Sequence, residues 1–217
     1  DSDPAVVEQL PEAAQRLIAM AQPIRGTLVE TYLAGRGTAP VHDAEALRYH
    51  PRCYYRPDDG GSAERRPAMI ASVTDLQGRI TGAHRTWLAP DGSGKAAVPT
   101  PRRAMGNLLG HAVRFGAAED VLTVGEGIET MLSLRAALPG MPMAAALSAG
   151  HLGALEIPRS LRRLYIARDA DPAGDKAAAA LTARATAEGI AVRVLSPRGG
   201  DFNDDLQATG LEDLRAA

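Results

Sequence analysis

The chain is predicted to be α/β, with a mainly parallel sheet of about four strands and flanking helices in residues 119–217 and a smaller α+β region in residues 1–118. Three observations carry this. After Ala117, short apolar runs alternate with helix-length segments, the rhythm of strands joined by crossover helices. Before it, Pro and Gly punctuate the chain and two strand-like runs flank a short turn. Finally, three acidic clusters follow apolar runs in the last hundred residues: Gly125-Glu126-Gly127, Asp169-Ala170-Asp171 and Asp201-Phe202-Asn203-Asp204-Asp205.

Each element follows from local pattern. Val7, Leu10, Ala14, Leu17 and Ile18 recur at helical spacing, predicting an amphipathic helix over Pro4–Met20. A second helix covers Leu28–Gly35, ended by glycine. Pro40, Pro51 and Pro57 punctuate the next stretch of chain, and Asp58–Ser62 reads as a loop. Met69–Val73 and Arg79–Leu88 are predicted strands of a hairpin turning at Asp75–Gly78. Asp91–Lys95 is a further turn. Pro99, Pro101, Gly106 and Gly110 mark irregular backbone before a short apolar segment, Ala112–Phe115. In the C-terminal part the expected strands are Val121–Val124, Met143–Leu147, Leu164–Ala167 and Ala191–Leu195. Between and after them lie helices over Ile128–Leu138, Leu152–Leu155, Ala173–Glu188 and from about Asn203. The strands are continuously apolar, as burial on both faces requires. Pro172 falls in a first helical turn, where its missing N–H costs nothing. Ala177, Leu181 and Ala185 give that helix a narrow face for close packing.

Composition bounds the function. The 217 residues are 45% hydrophobic but only 4% aromatic, so the core is aliphatic. No apolar run reaches the roughly 20 residues of a membrane span, and no charged segment followed by an apolar stretch opens the chain. One cysteine, Cys53, forms no internal disulfide, which fits a cytoplasmic location; with five histidines it also leaves no Cys-rich zinc ribbon. Asp1 at the start suggests a fragment of a longer protein. The net charge is −2, but from Arg79 to Arg114 six basic residues (Arg79, Arg85, Lys95, Arg102, Arg103, Arg114) face one acid, Asp91. A basic stretch followed by an acidic one suits a polyanionic substrate beside a metal, and equally an ordinary solvated surface.

In an open parallel sheet, ligands bind beyond the carboxyl ends of the strands. Glu126 and Asp169 fall at such ends, Asp171 is two residues on, and Asp201 follows the last strand, so all are expected to face one rim. Carboxylate oxygens gathered in this way suit Mg²⁺ and phosphoryl chemistry. Singly, each cluster has a plainer role: Asp169 and the Asp201–Asp205 group also suit helix N-termini. Competing motifs fail in detail. A calcium loop starting at Asp169 would have Ala173 and Ala180 at ligand positions. An aspartyl phosphatase pattern would want threonine at Ala173. Dinucleotide, Walker and nucleophile-elbow patterns are lacking.

The order Glu-Gly, Asp-x-Asp-Pro-Ala-Gly, Gly-Asp-Phe-Asn-Asp resembles the Toprim domain over about Ala118–Gly210, a Rossmann-like fold shared by bacterial-type primases, topoisomerases and some nucleases. Val124–Thr130, Ala167–Gly174 and Asp201–Asp205 look most like the primases of plasmids, phages and other mobile elements. Tyr49–Cys53 and His84–Leu88 resemble the domain preceding Toprim in those proteins. The resemblance implies a DNA primase-type nucleotidyltransferase, with Mg²⁺ or Mn²⁺ at Glu126, Asp169 and Asp171, joined by Asp201. It implies Glu126 as a general acid/base. It also implies a single-stranded DNA template and nucleoside triphosphates as partners, with a helicase or other replication proteins and no membrane. His84, Arg85, Lys95, Arg102, Arg103 and Arg168 are candidates for nucleic-acid or nucleotide contact. Trp87 suits base stacking or the core, and Arg168 suits phosphate contact or neutralisation of the acidic rim. A metal-dependent Toprim nuclease and a non-catalytic nucleic-acid-binding module remain alternatives.

Overall fold

Strands of three to five residues, apolar apart from Arg114, Thr123, Arg163 and Arg193, form the C-terminal sheet in a computed structural model, which describes residues 4–38, 41, 45–58 and 60–216, with side chains from residue 11 on. The expected burial on both faces fails for the last strand, Ala191–Leu195, which lies at the sheet edge and is mostly exposed. The chain divides into two units. One takes in Asp1–Gly35, Ala39–Val73 and Ile80–Asn107; the other takes in Arg36–Thr38, Thr74–Arg79 and Leu108–Ala217.

The first unit contains α1 (Pro4–Ala19), β1 (Gln22–Pro23), α2 (Leu28–Gly35), β2 (Leu47–Tyr55), β3 (Glu64–Thr74), β4 (Ile80–Trp87) and β5 (Arg102–Gly106). Its sheet runs in the order β1-β2-β3-β4-β5. Alternation along β4 puts Ala83 and Trp87 on the α1 side, where they pack with Ala14 and Ile18. Val7 and Leu10 of the expected helical face lie outside the described side chains, as do Pro40 and Asp59 of the expected loops. The Asp75–Gly78 turn is present: Asp75 accepts from the backbone N–H of Gln77 and of Arg79 at 2.9 Å each.

Three strands here escape the sequence pattern, the first of them the two-residue β1 paired with Arg48 and Tyr49. β2 runs through Pro51, because its register to β3 shifts between His50 and Cys53. A bulge is where a proline without an N–H fits a sheet. β5 replaces the expected irregular backbone, pairing Gly82–Thr86 antiparallel with Arg102–Gly106.

The second unit holds β6 (Val113–Phe115), β7 (Val121–Gly125), α3 (Ile128–Ala137), β8 (Met143–Ala145), α4 (Ala149–Gly153) and β9 (Arg163–Ala167), then α5 (Pro172–Ala187), β10 (Ala191–Leu195), α6 (Phe202–Thr209) and α7 (Leu211–Ala216). The expected α/β class and parallel sheet are both present: β10, β9, β7 and β8 pair in parallel. The sheet has five strands rather than four, in the order β10-β9-β7-β8-β6. The apolar segment around Ala112–Phe115 supplies the fifth, antiparallel to β8. On one face Leu122, Val124, Leu164 and Ile166 pack against Leu152 of α4 and Leu181 and Ala185 of α5. Burying each large aliphatic side chain contributes about 1.5–3 kcal/mol. The other face meets α3, toward whose Met131 the missing Cβ of Gly125 would point.

Helix starts explain much of the acidic pattern. Asp171 is the N-cap of α5, accepting from Gly174 N at 2.7 Å, with Pro172 directly after it. Asp201 is the N-cap of α6, accepting from Asn203 N at 2.7 Å and Asp204 N at 2.9 Å. Ser148 caps α4. Each such cap contributes about 1 kcal/mol by satisfying an orphan N–H.

Candidate active site

The strand order makes a topological switch point. The chain leaves β7 toward β8 and leaves β9 toward β10, in opposite directions along the sheet. A crevice opens where neighbouring connections part in this way. Gly125, the last residue of β7, is in register with Ala167, the last of β9. Glu126 and Asp169 therefore come immediately beyond the two strands that flank the crevice. Gly125 is needed there: an added Cβ would lie 2.6 Å from Met131 Cε and 2.9 Å from the Ala167 carbonyl oxygen.

Asp169 is the electrostatic focus. Its Oδ1 is buried and has no hydrogen-bond partner among the described residues. Burial pushes its carboxyl up from 3.8 to about 6, reinforced by the charges of Glu126, Asp201, Asp171 and Asp204 in that order. Acids from three separate loops thus act on one another. A backbone hydrogen bond joins two of those loops: Ala170 N donates to the Gly200 carbonyl at 2.8 Å. Asp205, which the sequence pattern placed in the third acidic cluster and in a capping group, instead holds the second loop in place. Its buried carboxylate accepts from Arg198 N at 2.8 Å and Gly199 N at 2.7 Å. Its position inside a helix hid that role, since nothing in the spacing marks a carboxylate turned back toward the preceding loop.

The all-oxygen donor set and the orphaned Asp169 Oδ1 fit a hard divalent cation such as Mg²⁺ or Mn²⁺. The ligand set is not closed: among the described residues no group of three His, Cys, Asp or Glu side chains stands disposed to hold a metal ion. The physical reason lies in the caps. Asp171 and Asp201 turn toward the N–H groups of α5 and α6, leaving Asp169 as the carboxylate with a spare buried oxygen.

Asn203, expected as a cap, does something else. It is fully buried and donates from Nδ2 to the Arg36 carbonyl and to Ser133 Oγ, 2.9 Å each, tying α6 to α3. Arg168 spans the rim. It pairs with Asp175 at 2.9 Å, donates to Ser196 Oγ at 3.0 Å and to the Asp169 carbonyl at 3.2 Å.

The remaining basic candidates belong to the first unit. His84 and Arg85 are half-buried on β4, and Lys95 bridges to Leu88 beyond that strand. Arg102 and Arg103 lie on β5 rather than in a proline-rich loop, opposite Thr86 and Arg85. Arg102 is exposed. Arg103 is engaged structurally: it pairs with Asp58 at 2.8 Å and donates to the Arg56 carbonyl at 2.7 Å and Thr100 Oγ1 at 2.6 Å. Trp87 is 1% exposed and stands edge-on to Tyr55, their centroids 5.0 Å apart. It belongs to the core and offers no face to a base.

Comparison with known proteins agrees with this architecture. Residues 121–212 match the model of the Toprim domain, and residues 8–115 match that of a domain of unknown function, DUF7146. No curated protein matches the chain. A DNA primase domain from Pseudomonas aeruginosa shares the fold with a TM-score of 0.60 and 19% identity, over 94% of this chain and 76% of that one. The zinc-binding and RNA polymerase domains of the Aquifex aeolicus primase give 0.62 at 17% identity, over 96% of this chain and 60% of that one. The RNA polymerase domain of the Mycobacterium tuberculosis primase gives 0.55 at 17% identity, over 96% and 82%.

Proposed function

We propose that this chain, whose C-terminal part is a Toprim domain in a primase-type fold, is a nucleotidyltransferase that makes short primers on single-stranded DNA. The observation that carries the reading is Asp169. It is a half-buried carboxylate with an unpartnered oxygen, beside Glu126 at the switch point and under the charge of three further acids. Such an arrangement is costly for a fold alone and useful for binding a divalent cation. Glu126 and Asp169 would hold Mg²⁺ or Mn²⁺, while Asp171 and Asp201, turned to the N–H groups of α5 and α6, would act on the ion through their charge. When bound, the ion supplies charge stabilisation for the transferring phosphoryl group.

The reaction joins the 3′-hydroxyl oxygen of the growing strand to the α-phosphorus of an incoming nucleoside triphosphate. The bond from that phosphorus to the bridging oxygen breaks, and pyrophosphate leaves. Glu126 takes the hydroxyl proton as it departs. Arg168, held at the rim by Asp175 and Ser196, offers a cation for phosphate contact. His84, Arg85, Lys95 and Arg102 are the candidate contacts of the first unit to template or nucleotide. Arg103 is given a supporting part there through its pairing with Asp58.

The test is template-directed incorporation of labelled nucleotides on single-stranded DNA with Mg²⁺ or Mn²⁺. Wild-type protein is expected to synthesise primers, and Glu126→Gln to do so about 10²-fold more slowly. Equal rates would reject the role of Glu126. A parallel reaction with labelled DNA and Mn²⁺ but no nucleotides, ending in strand cleavage, would reassign the site to hydrolysis.

A further inference from the structure

A half-buried arginine in the first unit has no acid to answer it among the described residues. Ala83, Arg85 and Trp87 alternate along β4, so Arg85 occupies a position whose neighbours in the pattern are core residues. Its Nε is buried and without a hydrogen-bond partner. Its guanidinium carbon lies 5.1 Å from the centre of the Trp87 ring, a cation–π contact. Its partner across the ladder is Arg103, another cation, already paired with Asp58. Burial lowers the Arg85 pKa; Cys53 opposes that shift, and the nearby charge of Arg103 adds to it. A half-buried cation without a carboxylate is a cost to folding, which the contact with Trp87 offsets only in part.

Arg85 lines a cavity of about 400 Å³. Its apolar walls come from Leu17, Met20, Cys53 and Met105. Two of these features are unusual for a surface: Met20 is 66% exposed, and Tyr54, also on the cavity, is 60% exposed. Arg65 braces the Tyr54 ring. Its guanidinium stands 5.0 Å from the ring centre and donates to the phenol oxygen at 2.7 Å. Arg52 and His50 complete the lining, which contains no acid.

These parts specify a ligand. The methionines and the exposed tyrosine face suit a flat, apolar body, and aromatic stacking is how unpaired bases are held. Arg85 presents a fork of donors that needs two acceptors side by side. Guanine offers them at N7 and O6, whereas adenine places a donor at N6. Arg65 and Arg52 leave the surroundings positive, as an attached phosphate requires. We propose that this cavity is a guanine-nucleotide subsite, with Arg85 reading the base and Tyr54 stacking on it. The chemistry is shared by an unpaired guanine in a single strand and by a free guanine nucleotide. The subsite adds to the proposed nucleic-acid function, and its test requires neither metal nor turnover.

The test is fluorescence anisotropy of the full chain in EDTA with labelled twelve-nucleotide oligothymidylate, unmodified or carrying one central dG or one central dA. The dG strand is expected to bind about ten-fold more tightly than the other two. Arg85→Lys keeps the charge and loses the fork, so it should erase that preference while the oligothymidylate still binds. Met105→Trp, which fills the cavity, should erase it as well. Guanosine monophosphate competing at micromolar concentration would assign the subsite to free nucleotide, and failure to compete would assign it to the strand. Equal affinity for the three strands, absence of binding, or a preference that survives both substitutions would overturn the proposal. Glu126→Gln should retain the guanine preference, so loss of synthesis and loss of this subsite are separable.

Discussion

Asp169→Asn is expected to lower primer synthesis by about 10³-fold or more, since it removes a carboxylate that has a buried oxygen without a hydrogen-bond partner among the described residues; losing several kcal/mol of charge stabilisation is a loss of that size. The same change should make the metal-free protein more stable. The Asp169 carboxyl is raised from 3.8 to about 6 in the folded chain, chiefly by burial and then by Glu126. A raised carboxyl favours the folded state fully below about pH 4, and that advantage is lost as pH rises through about 6. Above pH 6 wild-type protein therefore carries a repelled charge that asparagine does not. The full shift corresponds to about 3 kcal/mol, reduced to about 1–2 kcal/mol by the partial exposure of the group. Chemical denaturation in EDTA at pH 8 should show the variant more stable, and at pH 4 the difference should vanish. Adding Mn²⁺ should reverse the order at pH 8, because only wild-type protein gains from the ion. A wild-type protein more stable than the variant in EDTA at pH 8 would mean that the acids do not crowd one another.

The second large effect is expected from Gly174→Ala. Inside a helix, glycine to alanine ordinarily stabilises by up to about 1 kcal/mol. Here the added Cβ would run into the carbonyl oxygen of Asp169, a backbone atom that cannot swing aside. Overpacking of this kind costs about 1–3 kcal/mol. The strain falls on the turn that carries both Asp169 and Asp171, whose cap bond goes to Gly174 N itself. The variant should thus lose stability and bind Mn²⁺ at least about ten-fold more weakly. A stabilised variant would show that this turn is looser than its geometry implies.

How far the sequence reaches is clear from particular residues. Mostly apolar runs between helices identify β7, β8 and β9, because a strand buried on both faces has little choice of composition. By contrast β10, an edge strand with Arg193 at its centre, is largely exposed and was legible from its Val and Leu residues alone. Strand-end position then identifies Glu126 and Asp169. The edges were harder. Pro51 inside β2 and the prolines before β5 argue against strands, and only the three-dimensional register shows that Pro51 sits in a bulge. Val113–Phe115 is too short to signal a strand, and its partner β8 is 30 residues away (Val113 to Met143). The acidic clusters were legible as chemistry but not as division of labour. A capping aspartate and one left with a spare oxygen both follow a strand end within a few residues, so Asp171 and Asp201 could not be told apart from Asp169 until their N–H partners were seen. Arg85 was legible as a cation, whereas its lack of an acid partner is a property of β5 and the cavity.

The most direct measurement is anomalous scattering from crystals soaked with Mn²⁺ and a nucleoside triphosphate. A manganese peak is expected within coordinating distance of the carboxyl oxygens of Glu126 and Asp169, with triphosphate oxygens on its open side. A triphosphate bound with manganese elsewhere, and none beside Asp169, would contradict it.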